Sequence, residues 1–174
     1  MAVNLVQDGK LNREEAASAL QRYLDEIIRT GQLNLTARVG PQDSAASADE
    51  FESAEIVADF EGADTELLLA HGAELLKALE YVAIRSLHLE PQFYDRVRFD
   101  CGNYRATRIA ELKLSAQVAA QRVRETHTPF RFNPMTARER RIIHLVLKSQ
   151  AGVRSASEGN GDNRQVVIFP ADSN

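Results

Sequence analysis

Apolar side chains recur at helical spacing in some stretches of the chain and alternate in others, and the two periods divide it into elements. Ala16, Leu20, Leu24, Ile27 and Ile28 follow the helical period behind Asn12 and Glu15, a pair at capping-box spacing, and Gly31 supplies the stop. Leu33 to Val39 alternates as a strand with one buried face, and Ala54 to Phe60 is its partner. Between them Gly40 to Ser53 is small, polar and acidic, a long hairpin loop expected to be disordered. Asp64 is placed to cap a short helix through Leu67, Leu68 and Leu69. A longer helix from Ala73 to His88 turns Leu75, Leu76, Leu79, Val82 and Ala83 inward and ends before Pro91. Asp95 to Asp100 alternates as a third strand, whereas the lead, Met1 to Leu11, has no period and is expected to fray.

The second half repeats the mixture. Gly102 to Thr126 predicts a long helix with Ile109, Leu112, Val118, Ala119 and Val123 inward and Arg105, Arg108, Lys113, Arg122 and Arg124 outward. Phe130 and Phe132 flank Arg131 in a short strand, with the rings assigned to the core. Thr136 and Glu139 form a capping box that opens a further helix. Along it Ile143, Val146 and Leu147 face a core, and Ile142 and Leu145 widen that face. Arg140, His144 and Lys148 recur every fourth residue on another face, flanked by Arg138 and Arg141. A hairpin around Gly159, Asn160 and Gly161 closes the chain, with Arg154 and Arg164 near its ends.

Composition changes this picture in two ways. With 174 residues, 44% hydrophobic and 26% charged, the chain suits a globular protein of one full domain or two small ones. No apolar run approaches the roughly 20 residues that span a bilayer, and the start lacks a secretory signal, so a cytoplasmic location without membrane insertion is expected. The net charge of −4 is unevenly spread: residues 1–120 hold 12 Lys or Arg against 20 Asp or Glu, while residues 121–174 hold 9 against 5. A basic C-terminal part suits local capture of a phosphate backbone.

Catalysis has little support. Cys101 is the single cysteine and is expected to pack rather than react. His71, His88, His127 and His144 show no metal-ligand spacing, no Gly-rich loop carries a Walker lysine, and the basic stripe has only Glu139 and the distant Glu158 near it. No enzyme activity, metal or cofactor is expected.

The Arg140 and His144 pair in NPMTARERRIIH resembles the signature of the R-three-H domain, a single-stranded nucleic-acid-binding module, and SASEGNGDNRQVVIFP resembles the strands that close it in the bacterial Jag proteins. Those proteins join a KH domain to an R-three-H domain. The predicted order helix, strand, strand, helix, helix, strand matches a type II KH fold, and DTELLLAHGAELLKALEYV resembles the segment that carries the KH Gly-x-x-Gly loop. The resemblance implies an α+β chain, with a type II KH-like domain over residues 12–100 followed by a small R-three-H domain over 101–171. It implies RNA as the ligand, with single-stranded DNA as an alternative, pairing with another small KH protein, and a link to cell-envelope or sporulation regulation. The N-terminal segment of many Jag relatives has no counterpart in this sequence.

The expected nucleic-acid contacts are Arg140, His144, Arg141, Arg138, Lys148, Arg131, Arg154 and Arg164, His144 by a hydrogen bond to phosphate or sugar. The KH loop departs from its pattern: Ala70 and Ala73 stand where the two glycines belong, with His71 and Gly72 between them. Loss of both glycines hinders backbone approach to phosphate and favours helix, so the two helices are expected to close up or partly merge. A different class of function therefore competes, an interaction or dimerisation adaptor whose KH lobe contacts protein. Neither the oligomeric state nor the preferred bases follow from the sequence.

Overall fold

The structure, a computed structural model, describes residues 5–7, 9–42 and 54–171. It divides into two compact units, Met1–Tyr104 and Arg105–Asn174.

The first unit opens with a two-residue strand pair, β1 (Val6–Gln7) and β2 (Lys10–Leu11), where the sequence predicted a frayed lead. Leu5 and Leu11 explain the order: both are buried in the core of this unit, and Leu5 O accepts the Asn12 N–H at 2.9 Å. Helix α1 (Arg13–Thr30) follows, with the Asn12 side chain accepting from Glu15 N at 3.3 Å and Ala16, Ala17, Leu20 and Leu24 buried. Its end differs in detail from the expectation. Gly31 stays right-handed and Gln32 takes the left-handed φ of 52°, with the Gln32 and Leu33 amides closing onto Arg29 O and Ile28 O.

A three-stranded sheet of order β3-β4-β5 forms from β3 (Leu35–Pro41), β4 (Ile56–Gly62) and β5 (Val97–Cys101), with β4 antiparallel to β3 and parallel to β5. Alternation puts Leu35, Ala37, Ile56, Ala58, Phe60, Val97, Phe99 and Cys101 on the buried face, so Cys101 is a packing residue. Two helical side chains satisfy the sheet edges. The Gln21 amide donates to Ala37 O and accepts from Val39 N, both at 2.9 Å, and Glu80 accepts from Phe99 N at 2.8 Å. The loop predicted over Gly40 to Ser53 falls, from residue 43 onward, outside the described residues.

Helix α2 (Thr65–Ser86) leaves helical geometry at Ala70 to Ala73. Asp64 does not cap it with its side chain; the carboxylate instead accepts the Asn34 N–H at 2.7 Å, tying the start of β3 to the end of β4. A 3₁₀ turn at Pro91–Arg96 leads into β5, so Asp95 and Arg96 lie outside the strand.

Helix α3 (Tyr104–Thr126), which belongs to the second unit from Arg105 onward, buries Ile109, Leu112, Ala116, Ala119, Ala120 and Val123. Val118, expected inside, is 60% exposed, beside Leu114 at 62%. Strands β6 (Phe130–Arg131), β7 (Val153–Glu158) and β8 (Gln165–Pro170) form an antiparallel sheet of order β6-β8-β7, and α4 (Ala137–Lys148) buries Ile142, Ile143 and Leu147. Leu145 points to solvent, against expectation, and Val146 is half-buried. The architecture is α+β throughout.

Candidate nucleic-acid interface

Helix α4 begins where its sequence says it should. Thr136 Oγ1 accepts from Glu139 N at 3.3 Å and Glu139 Oε2 accepts from Thr136 N at 3.0 Å, completing the capping box. Glu139 is buried, and its other oxygen accepts Arg108 Nε from α3 at 2.9 Å. The one acid of the stripe is thus neutralised inside the unit, which leaves the remaining charge of α4 positive.

One turn on, His144 lies between two serines of β7, Nδ1 at 2.8 Å from Ser155 Oγ and Nε2 at 2.8 Å from Ser157 Oγ. Serines two apart on a strand share a face, which is why one imidazole reaches both. The sequence expectation gave His144 a direct bond to phosphate; both ring nitrogens are already engaged. A neutral imidazole has one N–H, so one serine accepts from the ring and keeps its own hydroxyl proton to donate, while the other donates to the ring. Burial first, and the Arg140 guanidinium second, hold His144 below its ordinary value of 6.5. Arg140 is half-buried, and its Nε is shut off from solvent without a hydrogen-bond partner. Arg140, His144, Ser155 and Ser157 therefore make a cationic, donor-bearing surface that sequence reasoning saw only in part. The alternation of Ser155 and Ser157 against Arg154 was the available signal.

The other expected contacts divide. Arg141 and Lys148 are exposed on α4, and Arg138 is half-buried in its first turn. Strand pairing separates Arg131 and Arg154 from the serines: Ser155 pairs with Ile168, Ala156 pairs with Val167, and Arg131 pairs with Val167 from the other side. Directly paired residues share a face and neighbours alternate, so Arg131 and Arg154 occupy the sheet face opposite Ser155 and Ser157. Each has a partner there. Arg131 meets Glu158 at 3.4 Å, and the Arg154 guanidinium lies 4.3 Å from the Phe169 ring centroid. Arg164 is exposed just before β8, where its carbonyl accepts Met135 N at 3.1 Å. Phe130 and Phe132, expected in the core, are only half-buried and meet edge to face with centroids 5.1 Å apart.

In the first unit, the turn at Ala70 to Ala73 does not merge the helices. Ala70 is extended (φ −56°, ψ 151°), and His71, Gly72 and Ala73 all adopt left-handed φ of 52°, 72° and 61°. Tyr104 Oη holds the turn by donating to Gly72 O at 3.0 Å. Alanine thus enters a conformation that costs it roughly 1 kcal/mol, and the methyl of Ala73 is fully buried, which offsets the strain. His71, His88 and His127 all have φ of 52° or 53°, so three of the four histidines are turn residues, whereas His144 sits in a helix with both ring nitrogens engaged.

Residues 110–170 match the R-three-H domain family. Over 114 residues the chain is 31% identical to RNA-binding protein KhpB of Clostridium symbiosum, covering 66% of this chain and 51% of that protein. Against RNA-binding protein KhpB of Bacillus subtilis (strain 168) it is 34% identical over 109 residues, 62% of this chain and 52% of that protein. With RNA-binding protein KhpB of Streptococcus pneumoniae serotype 2 it shares 33% identity over 101 residues, 58% of this chain and 31% of the relative. The chain spans about half the length of the first two relatives. Residues 110–170, which hold the Arg140 and His144 surface, are therefore an R-three-H domain, in a chain similar to the Jag-type RNA-binding proteins named KhpB.

Proposed function

We propose that the chain is a single-stranded nucleic-acid-binding protein with RNA as its ligand, held mainly on α4 and β7. The observation that carries this is the His144 imidazole bridged by Ser155 and Ser157 beside Arg140, in a unit that holds 12 Lys or Arg against 6 Asp or Glu. A phosphate oxygen meets the needs of that surface: it accepts from a guanidinium and from a serine hydroxyl, and it has no proton that requires a base. Arg138, Arg141 and Lys148 surround it with charge. The relatives named RNA-binding proteins support RNA over DNA, and support a binding role over an enzymatic one. Titration of the full chain with short labelled RNA and DNA strands across a salt series tests this. The logarithm of affinity should fall with that of salt by about 0.7 per phosphate contact on a single strand; a flat response overturns the proposal.

The succession of helix, two strands, broken helix and strand supports reading residues 12–100 as a type II KH-like domain and 101–171 as the R-three-H domain. No described helix is long and apolar enough to cross a membrane; a cytoplasmic location and pairing with another small KH protein are parts of the same proposal. A second reading, that the first unit serves as a protein adaptor, is favoured by its acidity. Asp59 and Asp100 pair directly across β4 and β5, where burial, then Asp100 and Glu61, push the Asp59 carboxyl upward. Over residues 1–104 the sequence holds 9 Lys or Arg against 19 Asp or Glu, a balance that disfavours phosphate.

A further inference from the structure

The Phe130 and Phe132 rings, with Leu114 and Val118 of α3, line a groove of about 470 Å³ in the second unit. Leu114 and Val118 are the most exposed large aliphatic side chains among the described residues, and the rings are half-buried, so this apolar surface stays open to solvent. Two guanidinium groups, Arg122 and Arg131, complete the rim; among the described residues no carboxylate lines it, and the Glu158 that meets Arg131 at 3.4 Å does so as an exposed, loosely held pair. An apolar peptide has no need of paired cations. A flat aromatic group joined to negative charge satisfies both halves of the site, and a nucleotide has that chemistry. Asn133 adds an amide that can donate to and accept from a base edge. From Asn133 the chain runs through Pro134 and Met135 into the Thr136 cap, so three residues separate the last groove residue from the start of the helix that bears Arg140 and His144.

We propose that this groove takes one unstacked nucleobase of the bound strand against Phe130 and Phe132, with its flanking phosphates between Arg122 and Arg131. The proposal rests on the RNA-binding reading and adds a base-contacting subsite to it. The volume lies within the usual range for small-molecule sites, and stacking on aromatic rings tolerates any base.

The test uses the full chain and two hexameric RNAs, one carrying 2-aminopurine at a central position and one abasic at the same position. The intact strand should bind about tenfold more tightly than the abasic one, with its fluorescence quenched. Phe132→Leu, and independently the exposed-site variant Val118→Gln, should reduce that difference to near unity while leaving abasic binding unchanged. Arg140→Ala should weaken both strands alike. If Arg140→Ala weakens both strands but neither groove variant alters the ratio, the groove is not a base site and the RNA reading survives. Failure of the wild-type chain to bind either strand sinks both. Loss of a dimer on Val118→Gln, with the ratio unchanged, would assign the groove to a second copy of the chain and overturn the nucleotide.

Discussion

Arg108 on α3 donates its Nε to Glu139 Oε1 at 2.9 Å, while Glu139 Oε2 accepts from the Thr136 backbone and hydroxyl at 3.0 Å. A single buried carboxylate thus caps α4 and joins it to α3. Glu139→Ala should cost the second unit about 2 to 3 kcal/mol, because it removes charge-assisted bonds and strands the Thr136 amide. Arg108→Ala should cost about 1 kcal/mol, since its guanidinium stays partly in water. Urea unfolding of the two variants separates these costs. Equal losses would mean that the ion pair, not the cap, anchors the helix.

Arg140 and Arg154 make a second contrast. Arg140→Ala should weaken RNA binding for all sequences and lower the salt slope by about one phosphate contact. Arg154→Ala should have little effect, because that side chain lies over Phe169 on the opposite sheet face. Fluorescence anisotropy at several salt concentrations reads both, and equal losses would contradict the separation of the faces.

The His144 environment fixes the sign of a pH effect. Burial and Arg140 depress its folded-state pKa, so the stability contributed by the neutral ring is fully present above the unfolded value near 6.5 and is lost as pH falls through the folded value. Binding should therefore not tighten between about pH 7.5 and 6.5 on account of His144. Below that window wild-type stability should decline more steeply than that of His144→Gln. Identical pH profiles of thermal unfolding would rule out His144 as the source.

Gly62 sits at φ +137°, and a Cβ there would stand 2.2 Å from Asn34 O. Gly62→Ala should destabilise the first unit by at least about 2 kcal/mol, through strain and backbone collision together. Gly72→Ala, at φ +72° with open space around it, should cost only about 1 kcal/mol. Similar unfolding midpoints for the two variants would refute this ranking.

His71 tests the first unit's share in binding. If the turn is silent, His71→Ala should leave the RNA affinity of the full chain unchanged, since residues 1–104 hold 9 Lys or Arg against 19 Asp or Glu. A clear loss of affinity would bring the unit into the binding surface and weaken the adaptor reading.

Local signals in the sequence determined which segments became helix and strand. Asn12 and Thr136 accept at the helix starts, and Leu20, Leu24, Ile143 and Leu147 are buried at the predicted spacing, because capping and amphipathic periodicity act within a few residues. Gly31 and Asp64 marked boundaries correctly in place but not in mechanism, since backbone closure by Gln32 and the Asn34 amide were alternatives of similar cost. Only the tertiary structure decided the rest. Helix propensity favoured merging the helices at Ala70 to Ala73, yet burial of Ala73 and the Tyr104 bond hold the turn. Val118 and Phe132 are apolar at plausible core positions, but whether an apolar residue is covered depends on a neighbour distant in sequence. So too with Arg131, Arg154 and His144: charge is written in the sequence, whereas the sheet pairing that sends two of them to one face and sets the third against Ser155 and Ser157 exists only after the strands have met.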